Sequence, residues 1–534
     1  MAEHNVDKVT MSTSWLAAVH ARCVQYIDRL NARGLTAAKG DVSAFWSDIL
    51  RHDTSRQNYP DFNAILTMRR GATYPVGDSA PADTELKRAE ATAAHWVFTQ
   101  SLPPGYLERV DEPALGAPLC FAFPEGTFSA SGIINAFTAQ RIIQWCEQRG
   151  LGGSPLRVLE IGAGYGLVAS MLLRRLNVRS YTIVDLPENL FLSSFYLPAQ
   201  FPDLEATFLD SMDSRIGPTG LNFLPPPLLP ALTGEFDLVI NSYSLQEMTL
   251  ESVQAYFAFA ADHLTKEGLF YSLNSHAKSG VTGPSDYPFE QFELVSFLPV
   301  RKFPYHYFFA TTPYEAVLAK RTPHTEGDGP ACQPSPKRYL DGLGRVIQLG
   351  VHDDVIALCT GCVSGTLSDA EQKYLAALSD FFGATTREGK LSAVSDMREQ
   401  AVAPAVTAYL VGALQFASGD NPAAWTALNS ATEGLSPSHA RVLAILMLAS
   451  LAGTGGDSAS RVIYLEALDH LFPHLRSERE VLLGDSFLLR EMIASYLGLP
   501  LPTPIWTVMQ RRVAASLGTA RRALARSRTP RTAA

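Results

Sequence analysis

The residues best placed to do chemistry stand around one turn, inside VLEIGAGYGLVASML at residues 158–172. Gly162, Gly164 and Gly166 alternate there, and glycine lets a backbone approach a ligand that any side chain would hold away. Glu160 puts a carboxylate two residues ahead of the first glycine. The next apolar run, SYTIVD, ends in Asp185. In a strand–turn–helix unit, an acid about 20 residues further on reaches the hydroxyls of a ribose. A carboxylate at Glu160 would repel a pyrophosphate and favour a cation. A dinucleotide fingerprint also needs a third glycine where Leu167 stands. S-adenosylmethionine carries a sulfonium, an ammonium and a ribose but no phosphate, so it is the expected ligand and a dinucleotide is disfavoured.

Such a turn must be carried by strands and helices. LRVLEIG reads as a buried parallel strand, and YGLVASMLLRRL as a helix with one apolar face. Together they bring backbone N–H groups to a helix N-terminus. EATFLDSM (205–212) reads as a third strand ending at Asp210 and Ser211, with IGPTGLNFLPPPLLPALTG as an insertion after it. EFDLVINSYSLQEM (235–248) reads as a fourth strand, ending at Asn241 and Ser242, followed by the helix TLESVQAYFAFAADHL. GLFYSLNSH (268–276) makes a fifth, and a hairpin from RKFPYHYFF to YEAVLAKR follows. Alternating strands and helices predict a doubly wound parallel sheet, which binds its ligand beyond the carboxyl ends of the strands. The expected cofactor contacts are Glu160, Gly162, Ala163, Gly164, Gly166, Asp185, Leu186, Asp210, Ser211, Asn241 and Ser242.

The 534-residue chain is too long for one domain. Helical periodicity fills 1–150, the α/β pattern fills 151–321, and TPHTEGDGPACQPSPK (322–337) reads as a linker. A helical region at 338–505 follows, then a tail from 506 to 534 with seven arginines and no acid. The net charge of −9 gives no case for nucleic-acid binding. Six cysteines in this length make no disulfide framework, and CTGC (359–362) reads as two reduced thiols rather than a zinc site. The N-terminus lacks signal-peptide order and no window has the apolar length of a membrane span, so a cytoplasmic protein is expected. Trp506 and Met509 ahead of paired arginines suggest peripheral contact with an anionic membrane face, against a solvated tail. The turns at Gly419 and Gly455 stand 36 residues apart, near the tetratricopeptide period, although a plain helical bundle fits as well. Either would serve docking to a protein partner or to another copy of the chain.

VLEIGAGYGLVASMLL, YTIVDLPENLFLSSFYL, FDLVINSYSLQEM and PLCFAFPEGTFSASGIINAFTAQRII (118–143) together resemble the class I S-adenosylmethionine-dependent methyltransferases, and within them the bacterial sugar O-methyltransferase family. The resemblance spans about residues 110–320. It implies a Rossmann-like methyltransferase sheet, flanked here by an N-terminal helical cap and a C-terminal all-helical domain. It also implies methyl transfer to a sugar hydroxyl of a glycan, lipid-linked saccharide or glycosylated metabolite. Such a reaction needs an acceptor oxygen held in line with the methyl carbon and a base for its proton. Glu247 is the first candidate base and His276 the second; His306, between Tyr305 and Tyr307, is the third. Asn241, Asn274 and the scattered acids form no spaced oxygen set, so no metal is assigned. Two rival readings are methylation of a non-sugar natural product and a cofactor-binding adaptor without turnover.

Overall fold

The computed structural model describes residues 12–35, 59–70, parts of 88–107, 112–275, 284–300, 313–321, 337–436, 438–471, 486–497 and 499. They form two compact units, one of residues 1–348 with 355–367, the other of 349–354 with 368–534.

The first unit is built on an eight-stranded sheet in the order β5-β6-β4-β3-β7-β8-β10-β9. Its strands are β3 (Leu156–Ile161), β4 (Val178–Val184), β5 (Ala206–Phe208), β6 (Gly220–Leu224), β7 (Phe236–Ser242), β8 (Leu264–Ser275), β9 (Phe292–Pro299) and β10 (Pro313–Lys320). A small hairpin, β1 (Phe121–Phe123) and β2 (Gly126–Phe128), precedes them. β5 to β8 run parallel, and β10 inserts antiparallel between β8 and β9. From β3 the chain builds outward through β4 and β6, then returns to β7 and β8 on the other side. The reversal between β3 and β7 is where such a sheet opens a crevice.

Two expectations are corrected here. The strand beside β4 is β6, lying inside the stretch read as an insertion, while the expected third strand, β5, is a three-residue edge. All five residues of β6 are buried, so its short apolar core decides the placement against the flanking prolines and glycines. The division of the chain also falls after 322–337. The helix Lys337–Gln348 packs on β10 and on the short turn Pro284–Asp286, within the first unit. The hairpin partner of β10 is β9; residues 301–312 lie outside the described residues.

Helices flank the sheet: α1 (Thr13–Ala32), α2 (Ala130–Gln148), α3 (Leu167–Leu173), α4 (Pro187–Gln200) and α5 (Leu250–His263). α1 buries Leu16, Val19, Cys23, Tyr26, Ile27 and Leu30, a helical stripe, and packs on α4. Side chains of α1 and of its C-cap also strap the sheet edge. Arg22 donates to Ala206 O, Tyr26 Oη to Leu209 O and Phe223 O, and Arg33 to Asp210 O. α2 is tied to β10 by Arg141, which donates to both oxygens of the fully buried Glu315 at 3.0 and 2.6 Å. Trp145 Nε1 and Tyr271 Oη complete that carboxylate's partners at 2.9 and 3.1 Å.

The second unit is helical. Helix pairs begin at Asp369, Pro404 and His439, which sets an interval of 35 residues. That is close to the roughly 34-residue period of tetratricopeptide pairs. In the middle pair a Cβ added at Gly412 would lie 2.6 Å from Leu428 Cγ, so glycine lets these two helices touch. Their turn passes through Gly419 at φ +81°, with the side chain of Asp420 held by Arg387 at 3.0 Å. Arg490 donates to Asn421 at 2.7 Å and lies 5.2 Å over Phe416.

Candidate active site

The parallel register sets the crevice. Ile161 pairs with Val184 on one side and Asn241 on the other, so Gly162 emerges between Asp185 and Ser242. Gly162 N donates to Val184 O at 2.8 Å, carrying the ladder with β4 one residue past the strand end. Gly162 adopts φ +74°, and a Cβ there would collide with Ser244 Oγ at 2.1 Å. Gly164 is different: its φ is +59° and a Cβ there would meet nothing within 4 Å. It therefore faces open space, the cradle a ligand needs. Residues 162–164 and 242–244 are all half-buried, although the strands leading to them are buried.

The two acids of the turn sit under this cradle. Asp185 accepts from Gly164 N at 2.8 Å, from Leu186 N at 2.7 Å and from Asn189 Nδ2 at 2.8 Å. The N–H of Gly164 thus engages the carboxylate. Burial nevertheless raises Asp185 to about 7, partly offset by these donors, and the charge of Glu247 adds to the rise. Glu160, 2 % exposed, accepts from Tyr181 Oη at 2.7 Å. Burial raises it as well, to about 7, with Asp185 contributing. No basic side chain among the described residues forms an ion pair with either acid.

Of the other expected contacts, Ala163 and Leu186 are half-buried beside the turn, and Gly166 starts α3 at φ +93° against Leu197. Asn241 is buried and its amide closes the protein's own backbone, donating to Ile161 O at 2.8 Å and accepting from Leu245 N at 3.3 Å. Ser242 ends β7 half-buried. Asp210 stands at the end of the edge strand, its carboxylate held by Arg29 at 2.5 Å and Arg33 at 3.2 Å. Ser211 bonds Ser214 at 3.0 Å. Glu247 is buried in the turn Leu245–Glu247 behind β7, near enough to Asp185 to act on its charge. His276, Tyr305, His306 and Tyr307 lie outside the described residues, as does the arginine-rich tail.

Several residues at the site carry no expectation from the sequence. Tyr181 holds Glu160, one strand away. Asn189, 3 % exposed, orients Asp185 with its amide nitrogen, and its Oδ1 is buried without a hydrogen-bond partner among the described residues. Gln246 accepts from Ser275 N, and Ser244 donates to Ile161 O at 3.1 Å. Tyr243 takes φ +61°, a left-handed conformation rare for a bulky residue. The DLPENL and QEM segments held Asn189 and Gln246 in view; Tyr181 has no local signal. Cys359 and Cys362 of CTGC share one helix, and burial raises both thiols, the second to about 12.

No family model matches the chain, and no curated protein does. Solved structures do resemble it. Magnesium protoporphyrin IX methyltransferase (ChlM) from Synechocystis PCC 6803, with bound SAM, is 12% identical over 43% of this chain and 97% of its own, with a TM-score of 0.28. Ribosomal protein L11 methylase from Lactobacillus delbrueckii subsp. bulgaricus is 16% identical over 40% and 92%, with a TM-score of 0.24. TrmN from Thermus thermophilus is 18% identical over 35% and 48%, with a TM-score of 0.24. The Rossmann-like fold rests on the chain's own strand order and register. Among the described residues, no helix is long and apolar enough to cross a membrane, and no three His, Cys, Asp or Glu side chains cluster to hold a metal.

Proposed function

We propose that the chain is an S-adenosylmethionine-dependent O-methyltransferase whose acceptor is a sugar hydroxyl of a glycan, a lipid-linked saccharide or a glycosylated metabolite. One observation carries the cofactor. Two buried carboxylates, Glu160 and Asp185, flank a glycine cradle and have hydrogen-bond donors but no ion-pair partner among the described residues. Buried acids without counter-ions hold their protons or await a cation. A bound S-adenosylmethionine would supply an electrophilic methyl on a sulfonium leaving group. Asp185, anchored by three donors, is the residue to hold the ribose, and Gly164 leaves it room. The Oδ1 of Asn189, without a partner among the described residues, offers a further acceptor there.

On this reading the acceptor lies past the ends of β7 and β8, with Tyr243 and Glu247 following β7. Glu247 is assigned as the base that takes the hydroxyl proton, with His276 as the alternative. Support for a sugar comes from the resemblance of the DLPENL and QEM segments to the sugar O-methyltransferases. Calorimetry with S-adenosylmethionine, S-adenosylhomocysteine and NAD tests the reading, followed by methyl transfer to glycan extracts. Binding of the first two, lost in Asp185→Ala, supports it; binding of NAD alone overturns it. Cofactor binding with no transfer to any acceptor would favour the adaptor.

A further inference from the structure

We infer that Arg69 is a positioning residue for the glycine turn, acting through the ring of Tyr165, so that the N-terminal region is a working part of the cofactor site rather than a cover. The inference rests on the cofactor reading above. Tyr165 is the one bulky residue among the alternating glycines, placed between Gly164 and Gly166. Its ring is buried, with the Arg69 guanidinium carbon 5.6 Å from the centroid on one side and Tyr196 of α4 edge-on at 5.2 Å on another. Two aromatic or cationic neighbours therefore hold a side chain whose backbone flanks the cradle. Cation–π attraction of this kind strengthens when the cation is out of water.

Arg69 itself is completely buried, which needs compensation from every side. Nη2 donates to the carboxylate of Glu112 and, at 3.1 Å, to Ser129 Oγ; Nη1 donates to Pro113 O at 3.0 Å. Its backbone N–H reaches Gly116 O at 2.9 Å. Space around it is reserved by two glycines. A Cβ at Gly116 would lie 2.7 Å from Arg69 Cγ, and one at Gly132 would lie 1.5 Å from Glu112 Oε2. Ser129 is also the N-cap of α2, accepting from Gly132 N at 2.9 Å. Two chain segments, 112–116 and 129–132, thus hold one guanidinium against the turn. A purely structural salt bridge would need no aromatic ring from the cofactor loop.

A double-mutant cycle on S-adenosylhomocysteine affinity, with thermal stability measured alongside, tests the inference. Arg69→Met is made together with Glu112→Gln, so that no buried charge is left unpaired. Tyr165→Leu removes the ring and Tyr165→Phe keeps it. Expected are a Kd weakened about five- to tenfold in Tyr165→Leu and to a similar extent in the Arg69→Met/Glu112→Gln pair. Combining them should add no further loss, and Tyr165→Phe should bind as the wild type does. Multiplicative losses overturn the inference, and so does a wild-type Kd in Tyr165→Leu, which is read even where the arginine variant does not fold. A wild-type chain that binds no S-adenosylhomocysteine overturns the cofactor reading instead.

Discussion

Two regions of the first unit bury carboxylates in opposite ways. Glu315 and Glu112 lie against Arg141 and Arg69, each cation aimed at its acid. Glu160 and Asp185, at the mouth of the β3–β7 crevice, have tyrosine, amide and backbone donors instead. The paired acids have their counter-ions: removing either partner strands the other in a low dielectric. The crevice acids remain an open electrostatic demand, and their protonation near neutral pH is its sign. The same residue type therefore marks architecture in one place and ligand affinity in the other.

Breaking such a pair should have the largest effect. Glu315→Ala leaves Arg141 without its carboxylate and is expected to lower unfolding free energy by about 3–5 kcal/mol, read by urea denaturation. A loss under about 1 kcal/mol would erase the contrast. Next comes Asp185→Ala, which removes the acceptor of three donors and is expected to weaken S-adenosylmethionine about a hundredfold in calorimetry.

Glu160→Gln sharpens the contrast through pH. Both crevice acids are raised to about 7 in the folded chain, against about 4 when unfolded. A raised pKa gives stability that is complete below the unfolded value and lost as pH rises through the folded one. The cofactor-free protein should therefore melt at lower temperature as pH climbs from about 5 to 8, and Glu160→Gln should flatten that slope. Affinity runs the other way. S-adenosylmethionine should weaken by up to about tenfold per unit below pH 7, and S-adenosylhomocysteine, which has no sulfonium charge, by less. Equal pH profiles for the two ligands would remove the electrostatic case. The smallest effect belongs to Asp210→Asn, whose partners Arg29 and Arg33 are exposed; a stability change under about 1 kcal/mol is expected. A marked loss of cofactor affinity in that variant would return Asp210 to the cofactor contacts.

The turn from Glu160 to Gly166, the strand ending at Asp185, and β7 and β8 were all legible, because continuous apolar runs and glycine spacing are local signals. The helix pairs at 404–434 and 439–471 were legible for the same reason. β6 was not: GLNFL is five residues among prolines and glycines, and only its neighbours in the sheet make it a strand. Arg69 and Glu112 stand 43 residues apart, and no spacing rule links them. Asn241 has a role that its spacing does not announce. Its type and position suggested a ligand contact, and its amide also holds Ile161 O and Leu245 N.

The strap of α1 has a bearing on how the protein behaves in a crowded solution. A three-residue edge strand offers outward-facing backbone groups to any passing strand. The carbonyl of Ala206 points away from β6, and the guanidinium of Arg22 occupies it at 3.1 Å, while its charge lies 5.1 Å over Phe208. A second sheet approaching this side would meet a cation where it needs an acceptor. Arg22, remote from any chemistry, would on this account keep the folded chain from sticking to its own copies.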